Sequence, residues 1–288
     1  VSRDRDYPTL AAELAAAVPP EGGDPRLSAA QDAAAARGAV TPEAEPLAAA
    51  ALDEGAPADA PARPRSRAKP KARARKRKGG RRLFQHDRAL GVRFVAGADE
   101  AGRGCLAGPL VAAAVLFDYE RLGPNEVRAL RLLNDSKQLP EEAREALYPV
   151  VMRIATRVAV VSRSAGGIDT RGLHKTNLAA LRESLLKVAR PGTLCLSDGF
   201  RLGALGGYEN RAIVDGDCKS AAIAAASIVA KVTRDRFMHR ADARHPGWDF
   251  ATHVGYSTPE HRDAIQRNGV SPLHRMSFQS AAYVNLPR

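Results

Sequence analysis

From Leu83 onward the chain alternates between short, almost unbroken apolar runs and longer stretches in which apolar residues recur every three or four positions. The first pattern predicts buried strands over Arg93 to Asp99, Leu110 to Asp118, Thr156 to Ser162, Thr193 to Ser197 and Arg211 to Val214. The second predicts helices over Pro140 to Ile154, Ile168 to Ala189, Lys219 to Ala243 and Thr258 to Asn268. Two strands joined by a glycine-rich turn, followed by strands alternating with helices, predict an α/β fold: a three-layer domain with a mixed sheet and a C-terminal helical extension. No internal repeat of solenoid length is present.

The first 82 residues lack this patterning. Residues 1 to 60 are rich in Ala and Pro and hold 4 Arg against 11 acids, a charge of −7. They carry too few large apolar groups to offset chain entropy and are expected to be disordered. Residues 61 to 82 hold 12 basic residues and no acid, the pattern of a solvated linker or of a nucleic-acid-binding arm. The remaining 206 residues sum to +7, and are expected to form one folded domain, 83 to 288. The net charge of +12 over 288 residues therefore divides into −7, +12 and +7. A polyanionic partner follows from that balance, though no fold does.

Three cysteines without a C-x-x-C spacing argue against a disulfide scaffold or a zinc module. No apolar run approaches the roughly 20 residues of a membrane-spanning helix, and the charged N-terminus lacks the apolar stretch of a secretory signal. A cytoplasmic protein without a membrane partner is expected.

The candidate chemistry lies in acids placed where apolar strands stop. Asp99 and Glu100 close the first predicted strand, Asp198 follows the strand Thr193 to Ser197, and Asp217 separates the last strand from the long helix. Strand ends at one edge of an α/β sheet are where such folds build their sites. Taken singly, each acid has a plainer explanation: Asp99 and Glu100 as solvated turn residues, Asp198-Gly199 as a tight turn, Asp217 as a helix cap. Brought together they would repel one another unless a cation sat among them, and hard divalent ions with oxygen ligands meet that need. The turn Gly97 to Gly104 is not a dinucleotide-binding loop, because its spacing is not G-x-G-x-x-G and a strand follows it where that motif requires a helix.

These residues stand within a longer set. Asp99-Glu100-Ala101-Gly102-Arg103-Gly104 with Gly108-Pro109, Asn134-Asp135-Ser136-Lys137, Asp198-Gly199, Gly216-Asp217 with the run Ile223 to Asp235, Gly255-Tyr256 through His261, and His274-Arg275 through Phe278 resemble bacterial ribonuclease HII, in the family's order across residues 92 to 280. The resemblance implies a ribonuclease H-like fold and an endoribonuclease that hydrolyses the RNA strand of RNA–DNA hybrids and single ribonucleotides embedded in duplex DNA. It implies cleavage 5′ of the ribonucleotide, leaving 3′-hydroxyl and 5′-phosphate ends, and roles in ribonucleotide excision repair and DNA replication.

By the same resemblance Asp99, Glu100, Asp198 and Asp217 would bind two divalent cations, Mn²⁺ or Mg²⁺, which stabilise the attacking and leaving oxygens. Gly102, Arg103 and Gly104 would read the ribose 2′-hydroxyl. Tyr256 would stack on the deoxyribose 3′ to the ribonucleotide, and Ser136, Lys137 and Lys219 would contact phosphates. A monomer is implied. Val254 stands where many relatives have Lys, Gln138 replaces a common second lysine, and residues 203 to 210 are unusually glycine-rich. Lys231, Arg234 and Asp235, at helical spacing, read as an ion pair without a catalytic part, Asp235 being the reserve candidate for the fourth ligand. Two rival readings remain: a non-enzymatic nucleic-acid-binding protein, and a nuclease of the same fold acting on DNA.

If residues 61 to 82 are an arm, deleting residues 1 to 82 should leave metal-dependent cleavage intact but flatten the salt dependence of substrate affinity, since phosphate contacts release counterions. Titrating binding against salt checks this, and an unchanged slope favours the plain linker.

Overall fold

The computed structural model of the protein describes residues 80–133 and 139–284. The expected acidic segment and residues 61 to 79 of the basic one lie outside the described residues, as do Ser136 and Lys137. Gly80 to Arg82 belong to the first helix, α1 (Gly80–Arg88), so a deletion probing the basic segment should stop at residue 79.

Five strands form one mixed sheet: β1 (Phe94–Ala101), β2 (Leu110–Asp118), β3 (Arg157–Arg163), β4 (Thr193–Asp198) and β5 (Asn210–Ile213), in the order β3-β2-β1-β4-β5. The three consecutive strands β1, β2 and β3 pair antiparallel, whereas β4 and β5 add parallel to the other side of β1. Residue alternation along the pleat sorts two cores. Val95, Ala113, Val115, Phe117, Leu194 and Leu196 pack beneath the long helix α6 (Ala221–Arg244), with α3 (Glu141–Ile154) and α1 beside it. Ala96, Ala98, Ala112, Ala114, Leu116 and Cys195 face helix α5 (Leu173–Val188) on the opposite side. The expected three-layer α/β arrangement is what the chain adopts.

Helix α6 lies unusually close to the sheet. Its first half is nearly all small or apolar, and every residue from Ala221 to Ala230 is buried. A Cβ on Gly97 of β1 would come within 2.2 Å of the main chain at Ala222 and Ile223, so only glycine permits this approach. The start of α6 is fixed twice, first by Ser220, whose Oγ accepts from the Ile223 amide at 3.3 Å. Second, the fully buried Asp87 of α1 accepts from Ser220 Oγ at 3.0 Å, from the Ala222 amide at 3.1 Å and from the Tyr119 hydroxyl at 2.8 Å.

Two expectations change. The single helix over Ile168 to Ala189 is two, α4 (Ala165–Arg171) and α5, because the chain turns at Gly172 with φ of 80°. Apolar spacing continues through that break, and so does not reveal it. Helices α1, α2 (Pro124–Ala129) and α7 (Phe250–His253) were not expected; all are short, and α1 opens within a charge run. The C-terminal extension holds α7, α8 (Pro259–Asn268) and a 3₁₀ turn at Ala281–Tyr283. No described helix is long and apolar enough to cross a membrane.

Replacing Asp87 by Ala would leave two buried hydroxyls and an amide without their acceptor. A loss of about 2–4 kcal/mol is expected, a fall in melting temperature on the order of 10 °C. Thermal unfolding followed by circular dichroism checks it; an unchanged midpoint would show that the anchor contributes nothing.

Candidate active site

The site follows from strand register. β1 and β4 run parallel with Ala98 opposite Ser197, so the next residues, Asp99 and Asp198, emerge side by side at the same sheet edge. By pleat parity Asp99 shares the face of Val95, and Asp198 that of Leu194 and Leu196, so both lie on the side covered by α6. Asp217 arrives from the 3₁₀ turn Gly216–Cys218 that precedes that helix. Asp198 Oδ1 accepts the Gly216 amide at 2.7 Å and so ties this turn to the end of β4. Carboxylate oxygens of Asp99, Asp198 and Asp217 lie within 4.8 Å of one another. That separation fits a hard divalent cation, whose oxygen ligands sit about 2.0–2.6 Å from the ion.

Glu100 is not in this group of three. As the next residue along β1 it belongs to the other face of the pleat, although it lines the same cavity as Asp99 and Asp198. The cavity has a volume of about 240 Å³, and Asp99, Gly102, Arg103, Gly104, Lys231 and Tyr256 are among its walls. Burial first, then the charges of Glu100 and Asp198, hold the Asp99 carboxyl well above the usual carboxylate range; hydrogen bonds from Ser227 and the Glu100 amide act against them. The site thus stores electrostatic repulsion that a cation would relieve.

Two buried guanidinium groups shape the walls. Arg234 donates to the carbonyl oxygens of Pro109 (3.0 Å), Ala107 (3.0 Å) and Val254 (2.8 Å). Arg275 donates to Gly108 O through Nε (3.0 Å) and Nη2 (2.9 Å), and to Arg103 O (3.0 Å). Together they fasten the β1–β2 connection to the 254–256 turn and to the C-terminal segment. Gly102 is needed for this packing, since a Cβ there would meet Arg234 Nε at 1.9 Å.

Tyr256, 39 % exposed, lies above Lys231, whose Nζ is 5.3 Å from the ring centroid. Three buried histidines hold the turn that carries it. His253 Nδ1 accepts from the Gly255 amide (3.1 Å), His261 Nδ1 meets Tyr256 O (2.8 Å), and His261 Nε2 meets His274 Nε2 (3.1 Å). Burial lowers His261 and His274 to about 4, so at neutral pH those two carry no charge, and burial lowers His253 as well.

The remaining expected residues divide. Lys219 is exposed, bonded through Nζ to Val214 O at 2.5 Å, and does not line the cavity. Asp217 does not cap α6; Ser220 does. The ion pair expected on α6 forms between Lys231 and Asp235 at 2.7 Å, with Arg144 3.5 Å from the same carboxylate, whereas Arg234 turns to carbonyl oxygens. Sequence reasoning missed Ser227, Lys231 as a cavity wall, and the two buried arginines. For Ser227 a signal existed: a hydroxyl about two helical turns after the capping Ser220, in an otherwise apolar run.

The profile of one family, described as Ribonuclease HII, matches residues 96–281. A ribonuclease HII of Mycobacterium tuberculosis (strain ATCC 25618 / H37Rv) is 48% identical over 185 residues, covering 64% of this chain and 67% of its own. One of Rhizobium johnstonii is 48% identical over 198 residues, covering 69% and 83%. Among solved structures, ribonuclease H2 of Pyrococcus horikoshii OT3 superposes with a TM-score of 0.56 at 26% identity, covering 66% of this chain and 95% of that one.

Repulsion at Asp99 makes a prediction that needs no substrate. An acid whose folded pKa lies above its unfolded value of about 3.9 adds most stability below that value and loses it as pH rises to the folded pKa. At neutral pH without divalent metal, Asp99→Asn should therefore melt higher than the parent, by about 2–4 °C for each kcal/mol relieved. Adding Mn²⁺ or Mg²⁺ should raise the parent and leave the variant nearly unmoved. Calorimetry in chelator and in metal checks both; a variant that melts lower without metal would contradict the repulsion.

Proposed function

Since the chain belongs to the ribonuclease HII family, and is thus a metal-dependent endoribonuclease that hydrolyses the RNA strand of RNA–DNA hybrids, we propose that Asp99, Asp198 and Asp217, with Glu100 beside them, are its catalytic, metal-holding carboxylates. The observation that carries this assignment is the convergence of three acidic side chains from β1, β4 and the turn before α6 to within 4.8 Å. We also propose that single ribonucleotides within duplex DNA are substrates, cut on the 5′ side to leave 3′-hydroxyl and 5′-phosphate ends. Two divalent cations, Mn²⁺ or Mg²⁺, would supply an activated water and stabilise the departing 3′-oxygen.

The chain's own groups do the rest. Asp99, raised in pKa and enclosed, favours a bound cation over an empty site. Gly102, Arg103 and Gly104 stand on the cavity wall where a ribose 2′-hydroxyl can be read, and Arg275 holds the Arg103 carbonyl in place. Tyr256 offers a ring face fixed from below by Lys231 and from behind by the histidines, suited to stacking on the sugar 3′ to the ribonucleotide. Lys231, paired with Asp235, adds little net charge of its own. Lys219, outside the cavity, is proposed to contact phosphate, as are Ser136 and Lys137.

A duplex with one embedded ribonucleotide tests this reading. Cleavage at that position with Mg²⁺ or Mn²⁺, and none of an all-DNA duplex, is expected; equal cutting of both would favour a DNA nuclease. Asp99→Asn should lower cleavage by about 10²–10³-fold or more while retaining binding. Unchanged cleavage would remove Asp99 from the mechanism.

A further inference from the structure

A second, larger cavity, of about 440 Å³, opens between α1 and α2, apart from the carboxylate site. Arg81 and Arg88 of α1, Arg128 of α2 and Arg131 just beyond it line the cavity, over an apolar floor that includes Phe84 and Val127. All four arginines are exposed. No carboxylate lines the cleft, and the single acid of each helix is diverted: Asp87 is buried against Ser220 and Tyr119, and the Glu126 carboxylate lies beside Gly123. Arg88 donates to Leu122 O at 2.7 Å; Arg81, Arg128 and Arg131 have no acidic partner among the described residues.

Four exposed guanidinium groups lining one open cleft without a counter-charge give it a positive potential that favours an anion, and the planar fork of Arg matches phosphate oxygens pairwise. We propose that this cleft binds the phosphodiester backbone of the substrate duplex away from the scissile bond, as a second electrostatic contact beyond the active site. The proposal rests on the reading that the substrate is a nucleic-acid duplex. Chain continuity supports it on both sides. Residues 61 to 79, which precede α1 in sequence, hold ten basic residues and no acid, and Arg131 is followed within a few residues by Lys137, already proposed to contact phosphate.

The test measures binding of the full chain, in chelator, to a 30-base-pair duplex (a length of roughly 100 Å at 3.4 Å per step) carrying one ribonucleotide, across a salt series. Arg81→Gln, Arg128→Gln and Arg131→Gln combined should weaken binding by about 10-fold or more at physiological salt. They should also lower the slope of log affinity against log salt by about 2.7, at 0.9 for each phosphate contact. A control with the same charge change on exposed arginines elsewhere, Arg171→Gln, Arg240→Gln and Arg267→Gln, should shift the slope much less. Equal shifts in the two variants, or none, overturn the proposal. Tighter binding by the cleft variant also overturns it, as expected if the acidic residues 1 to 60 occupy the cleft instead. If the triple variant fails to fold by circular dichroism, Arg128→Gln alone should lower the slope by about 0.9, and an unchanged slope then decides against the cleft. Because no cleavage is read, a failed ribonuclease assignment and a failed cleft give different results.

Discussion

The approach of α6 to β1 at backbone distance is the constraint on which the rest depends. Gly97 gives up its side chain, and the helix presents Ala222 and Ile223 to the space that is left. A larger side chain on either surface would lift the helix from the sheet. That movement would carry Ser227 away from Asp99, and the Gly216–Cys218 turn away from Asp198. Asp87 opposes it at the helix start, through hydrogen bonds spanning more than 130 residues of sequence. The carboxylates therefore meet because a glycine, a run of alanines and one buried acid bring three separate segments together.

Charge is arranged in opposite senses inside and outside. Asp99, Asp198 and Asp217 are crowded at the sheet edge, where burial makes each additional negative charge more costly. The cations nearest to them are mostly committed elsewhere. Arg234 and Arg275 donate to carbonyl oxygens, and Lys231 is held by Asp235. None of these bonds neutralises the acid cluster. The arginines of the α1–α2 cleft, in contrast, face solvent without acids. Attraction of a polyanion and capture of metal are consequently separate tasks performed at separate places, joined by one rigid sheet.

Much of the fold was legible because both its cores are apolar by alternation along the strands, and because β1 and β2 are almost wholly buried. Asp99, Asp198 and Asp217 stood out as acids at strand ends, and pleat parity would already have separated Glu100 from Asp99. The helix break was hidden because Leu173, Leu178, Leu181 and Leu185 keep helical spacing past Gly172. Helix α1 was hidden because its capture depends on Leu83, Phe84 and Asp87 finding partners in β2 and α6, far away in sequence. The roles of Arg234 and Arg275 could not be read at all. Their partners are main-chain carbonyls, which carry no residue identity, and Arg234 sat at a spacing that suggested an ordinary ion pair.

The Arg275 bonds also bear on the order in which the molecule can be completed. Its partners, Arg103 O and Gly108 O, lie 172 and 167 residues earlier in the chain. During synthesis from the N-terminus, β1, β2 and even α6 can assemble while that part of the cavity wall still lacks its fastening. That stretch of the wall is consequently fastened only after residue 275 has been made and has folded back onto the β1–β2 connection. A chain truncated just before residue 275 would retain its sheet and its acid cluster but lack the clasp that turns an acidic edge into a walled site.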